Sequence, residues 1–155
     1  MGGISKRPIA PSQDWILTHA EAYGRAIELA HKRYRRVRPD DPIVSRGATS
    51  EQLIDGYVEY LNWITGMRRM CRVAEAARAQ HDPLRASEIA AAVGGFEATV
   101  ICKDVIHVRD VLEHADDYGA GIGQKRIRFP DIDMDAWTDA ALKFRADLVQ
   151  ALRQG

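Results

Sequence analysis

Apolar positions along the chain recur at alternating spacings of three and four, the signature of helices with one buried face. Ser12 stands where an N-cap belongs, Asp14 lies in the first turn, and Ile16, Ala20, Tyr23, Ile27, Ala30 and Tyr34 follow as one stripe that ends before Pro39. A second helix opens at Thr49 or Ser50, where Thr49 and Gln52 fit a capping box. Its seam of Leu53, Tyr57, Tyr60, Ile64, Met67, Cys71 and Ala74 runs to about Gln80. Trp63, Met70 and Val73 widen that seam, so this helix is expected to contact more than one neighbour. Asp82 and Pro83 read as the N-cap and first position of a third helix, whose pattern of Leu84, Ile89, Val93, Phe96 and Val100 continues through Val105, Val108, Val111 and Leu112 to a C-cap at Gly119. Gly94 and Gly95 interrupt it, which implies a kink, a close backbone approach or the meeting of two helices. The last helix begins near Asp133 and carries Trp137, Ala140, Ala141, Phe144, Leu148, Ala151 and Leu152.

No strand finds a partner in this pattern. The expectation is an all-α fold, an antiparallel up-and-down bundle of four main helices forming one domain over residues 12–155, preceded by a loose arm over 1–11. Residues 39–48 and 120–133 are read as connections, the second basic through Lys125, Arg126 and Arg128.

Composition narrows the function classes. At 155 residues there is enough chain for one domain, and with 22 Lys plus Arg against 22 Asp plus Glu there is no net field to draw the protein to nucleic acid or a membrane. Attraction to a charged partner must be local. No apolar run resembles a signal peptide or approaches the ~20 residues of a membrane span, so a cytoplasmic location without membrane association is expected. Cys71 and Cys102 each lie within an apolar helical pattern and read as buried free thiols rather than a disulfide.

Two polar stretches exceed what solubility needs. One is the end of the first helix, His31 to Arg38, where five Lys or Arg residues within seven positions surround Tyr34. It reads either as compensation of the helix dipole on a solvated face or as a phosphate patch with a tyrosine for stacking. The other is the stripe of Lys103, His107, Asp110, His114 and Asp117, opposite the apolar face of the third helix. Within it, His107, Asp110 and His114 stand at i, i+3 and i+7, a spacing compatible with one metal ion if a neighbouring helix added a ligand. The remaining histidines are scattered and no Glu-x-x-His pair is present, so no metal and no cofactor are expected.

The run Arg109-Asp110-Val111-Leu112-Glu113-His114, an arginine, a polar residue, three arbitrary residues and a histidine, resembles the signature of the HEPN superfamily of all-α proteins. That resemblance implies metal-independent RNA cleavage, with the motifs of two protomers meeting across a homodimer interface. It assigns Arg109 to the scissile phosphate, His114 to proton transfer and Asp110 to orienting them. Lys103, His107, Lys125, Arg126 and Arg128 are the candidate substrate-binding groups around it. In place of asparagine, frequent in active members, stands Asp110, and Glu113, Asp116 and Asp117 make the surroundings acidic. The plainer reading makes the same face a salt-bridged surface, with Arg109 and Glu113 an ordinary i,i+4 pair. In that case the bundle is a non-catalytic dimerisation module, or one that binds nucleic acid or a partner protein.

Overall fold

The computed structural model describes residues 12–38, 50–80, 83–113 and 131–153. Among them are five helices and no strand: α1 (Gln13–Val37), α2 (Ser50–Arg78), α3 (Ala86–Thr99), α4 (Cys102–Glu113) and α5 (Met134–Arg153). The N-caps at the two ends of the chain follow the expected chemistry. Ser12 Oγ accepts from the Trp15 amide at 3.1 Å, and Asp133 Oδ1 accepts from the Ala136 amide at 3.0 Å. The arm over 1–11, Thr49, Asp82, Gly119 and the basic connection lie outside the described residues.

Helix α2 touches α1, α3 and α4, while α5 packs on α1 and α3. Tyr23 meets Arg69 and Tyr34 meets Tyr60, so α1 and α2 run in opposite directions. They pack tightly at Gly66, where an added Cβ would lie 2.8 Å from Ile27 Cγ1. Contacts of Glu21 with Arg153 and of Arg35 with Asp135 make α1 and α5 antiparallel as well. Arg85, just before α3, donates to the Leu152 carbonyl at 2.7 Å and to Gln13 Oε1 at 3.2 Å, tying three helix ends together.

The buried side chains form one contiguous core in which Trp63, Phe96, Phe144, Ile16 and Ile27 are among the largest. Phe96 stacks on Phe144 with ring centroids 4.8 Å apart. A polar chain crosses this core: Trp63 Nε1 donates to Thr138 Oγ1 at 2.9 Å, and that hydroxyl donates to the Met134 carbonyl at 2.7 Å. Neither buried donor is left without an acceptor, which is the condition for keeping an indole N–H inside. Burial, and then the nearby Tyr34, push the Tyr60 phenol well above the ordinary tyrosine value.

The expectation of four main helices is corrected here. The third divides in two, and the division lies at Val100, not at the glycine pair. Gly94 and Gly95 are helical and exposed, and an added Cβ would meet nothing within 4 Å. Four residues beyond Gly95 begin three consecutive β-branched residues, Thr99, Val100 and Ile101, which lose side-chain freedom in a helix and favour extended backbone. Val100 takes φ −93° and ψ 111°, donating its N–H to Phe96 O at 2.8 Å while its side chain is buried. The Ile101 carbonyl then accepts from the amides of Asp104 and Val105 and starts α4. Helix α3 also begins later than Pro83, after a turn over 83–85, and Leu84, expected on the apolar side, is exposed.

Candidate functional site

Helix α4 carries the described part of the motif. Its Val105, Val108, Val111 and Leu112 are buried, as their spacing requires, and Lys103, His107 and Asp110 are exposed on the opposite side. Two links hold it against α2. Near its start Cys102 is bonded to Cys71, with Cα atoms 6.0 Å apart; near its end Tyr57 Oη donates to the Leu112 carbonyl at 3.3 Å. These two contacts make α2 and α4 antiparallel. They also correct the reading of two free thiols: residues 31 positions apart are brought within disulfide reach because each sits on the seam where the two helices meet. Sequence periodicity had placed both on apolar faces, but it carries no information on which apolar positions of two helices stand opposite one another.

Arg109 lies at the edge of that seam with its side chain 29% exposed, and its Nη2 bonds Glu113 Oε1 at 2.8 Å. Its Nε is buried and has no hydrogen-bond partner. The i,i+4 pair anticipated as the plainer reading is therefore formed, while one donor of the same guanidinium is left over. Asp104, Asp110 and Glu113 outnumber Lys103 and Arg109 on this helix, so its local charge is acidic. His114 falls one residue past the described end of α4, and Lys125, Arg126 and Arg128 also lie outside the described residues. Among the described residues no three His, Cys, Asp or Glu side chains gather as a metal site would require.

The basic end of α1 is partly taken up by contacts with other residues, while Lys32, Arg33 and Arg36 stay exposed. His31 Nε2 donates to Asp135 Oδ1 at 2.6 Å, and Arg35 donates to the same oxygen from Nε at 3.1 Å and Nη2 at 2.9 Å. The hydrogen bond from His31, and then that from Arg35, hold the Asp135 carboxyl below the usual aspartate range. Lys32 pairs with Glu28 one turn back, and the Arg38 side chain is buried. Tyr34, considered for stacking, is buried against Tyr60 and is not offered to a ligand. Arg33 and Arg36 line a shallow groove with Asp55 and Glu59, so that end of the chain presents mixed charge. The convergence of His31 and Arg35 on Asp135 escaped the sequence reading because Asp135 is a hundred positions from Arg35.

No helix among the described residues is long and apolar enough to cross a membrane. Compared with known proteins, the chain matches no family model, no curated protein and no solved structure.

Proposed function

We propose that the chain is a HEPN-like helical-bundle protein, up-and-down in its helix order, that cleaves RNA without a metal at a site shared by two protomers. The observation that supports this reading is the placement of Arg109. It stands in the last described turn of a helix pinned to α2 at both ends, five residues ahead of His114, with its side chain 29% exposed. A guanidinium held in that way offers permanent, fork-shaped charge to the developing phosphorane.

In the proposed reaction His114 takes the proton from the ribose 2′-hydroxyl, which attacks phosphorus, and returns a proton to the departing 5′-oxygen. Asp110 orients these groups. RNA supplies its own nucleophile, so neither a metal nor a cofactor enters. Arg109 and His114 are five positions apart, about 140° around an ideal helix, so one protomer does not aim both at one phosphate and a homodimer completes the site. Lys103 and His107 on α4, with Lys125, Arg126 and Arg128, contribute the binding charge. The cytoplasmic location expected from the sequence belongs to this proposal.

A second reading draws on the Glu113 contact. With Arg109 already neutralised and Asp104 and Asp110 nearby, the same face suits a non-catalytic dimerisation or binding module. RNA cleavage by the purified protein in EDTA, beside His114→Ala and Arg109→Ala, separates the two. Cleavage that survives chelation and is lost in both variants, with their thermal midpoints unchanged, is expected; a folded wild-type dimer that leaves RNA intact would falsify the nuclease reading and favour the module.

A further inference from the structure

Helix α1 carries a second kind of surface that the motif does not use. Trp15, His19 and Tyr23 follow at i, i+4 and i+8, and their rings form a continuous ladder. Trp15 stacks on His19 with centroids 4.2 Å apart, and His19 meets Tyr23 edge-on at 5.4 Å. His19 Nδ1 donates to the Trp15 carbonyl at 2.7 Å, which fixes the middle ring. Trp15 is 37% exposed, whereas the other two tryptophans, Trp63 and Trp137, are buried.

The ladder ends on α2, where the Arg69 guanidinium lies 5.7 Å from the Tyr23 ring centroid. Arg69 opens an arc of arginines. At 100° per residue, Arg68, Arg72 and Arg69 cover about 100° of the helix, with Arg72 between the other two. Arg69 marks the α1 side by its contact with Tyr23, and Arg68 lies about 20° around the helix from Tyr57, which touches α4. Lys32, Arg78, Lys143 and Arg153 are each held by a carboxylate, but among the described residues neither Arg68 nor Arg72 is. Cations without a carboxylate partner beside the exposed Trp15 ring complement a polyanion that also has flat faces to stack.

We propose that this face is a track for single-stranded RNA, with a base stacked on Trp15, which His19 and Tyr23 hold in place, and phosphates on Arg69 and Arg72, leading the strand towards Arg109. It rests on the RNA-directed reading above. The faces of His19 and Tyr23 are taken up by the stack itself and by Arg69, so the ladder is a rigid backing that offers one open ring, that of Trp15. Recognition of this kind is tolerant of sequence, because every base has a π-face, and it is sensitive to salt.

The test is binding of a fluorescein-labelled 2′-O-methyl oligouridylate, which has no free 2′-hydroxyl and is not cut, compared with an abasic oligomer of the same length. Anisotropy reports affinity, and quenching of intrinsic fluorescence reports Trp15, since the other two indoles are buried. Trp15→Ala is expected to weaken oligouridylate binding between about 5- and 150-fold, the range of base stacking on an aromatic ring. Trp15→Phe, which keeps a ring and guards against misfolding, is expected to retain most of the affinity. Arg69→Ala with Arg72→Ala is expected to flatten the dependence of log affinity on log salt by between 1 and 2, and Arg25→Ala, on an exposed part of α1, to leave binding as it is. Equal affinity for the abasic oligomer, full binding by Trp15→Ala, or a wild-type protein that ignores the oligonucleotide at low salt would overturn the track. The last result would point to a partner protein on this face instead. The two proposals fail separately. Oligouridylate that quenches Trp15 while unmodified RNA stays intact removes the nuclease and leaves the track, and RNA cut with wild-type KM by the Trp15→Ala and arginine variants does the reverse.

Discussion

Replacing Gly94 and Gly95 by alanine tests whether the glycine pair has any structural duty. Both lie inside α3, both are exposed, and a Cβ built on either meets no atom within 4 Å. Neither has the positive φ that would strain an alanine. What remains is the intrinsic difference, about 0.8–1.0 kcal/mol per exposed helical position, because glycine gives up more backbone entropy on folding and exposes more backbone to water. The double variant should therefore be more stable by about 1.5–2 kcal/mol. For a chain of this size that corresponds to roughly 3–8 °C in thermal midpoint. Urea unfolding followed by circular dichroism at 222 nm measures it, and an unchanged denaturant slope confirms that the gain lies in stability and not in a different unfolded ensemble. A midpoint that stays put or falls would refute the reasoning. It would mean that the α3 backbone at these positions is approached by another segment or another copy, as the glycine pair first suggested.

Thr138→Val keeps the shape of a buried side chain and removes the acceptor for Trp63 Nε1; leaving that indole N–H unsatisfied should cost about 1–3 kcal/mol, read as a lower urea midpoint. An unchanged midpoint would mean the indole has another acceptor. Reducing the Cys71–Cys102 bond opens a loop closed over 31 positions and should lower stability by about 3–4 kcal/mol on the chain-entropy account. Matching melts with and without a phosphine reductant, together with two titratable thiols in the unreduced denatured protein, would show that the bond does not form. At Asp135 the carboxyl titrates below its ordinary value in the folded chain, so the folded state binds fewer protons than the unfolded one. The stability this contact supplies is present above the unfolded value of about 3.9 and is lost as pH falls through the lower folded value. Asp135 is 60% exposed, so Asp135→Asn is expected to cost no more than about 1 kcal/mol at pH 7. That difference should shrink progressively as pH falls below 4 when thermal midpoints of variant and wild type are compared; a gap that does not shrink with falling pH would contradict this assignment.

Helix identity was legible because it is local. Three- and four-residue spacing selects the buried face of each helix, and Ser12 and Asp133 announce helix starts through hydrogen bonds that span three residues. The apolar face of α4 and the exposure of Lys103, His107 and Asp110 followed from the same rule. The i,i+4 pair of Arg109 with Glu113 is local too, and was anticipated.

Everything that depends on how helices stand against one another had to come from the tertiary structure. The bond from Cys71 to Cys102, the Trp63 to Thr138 hydrogen bond and the meeting of His31, Arg35 and Asp135 each join positions on different helices. Periodicity fixes the rotation of a helix about its own axis but not its axial register against a neighbour, so none of these pairings can be read from one stripe at a time. The split at Val100 shows a different limit. Glycine propensity favoured a break at Gly94, yet the cost of keeping those two glycines helical is small, while Val100 gains burial by leaving the helix. Tyr34 is buried against Tyr60, as its place on the apolar stripe of α1 required, and the contact removes it from the basic surface as a stacking ring. Local chemistry determined which residues became helix and which face each helix buried; tertiary packing decided which of the remaining polar and aromatic groups stayed open to a partner, because burial depends on the neighbour opposite and not on the residue alone.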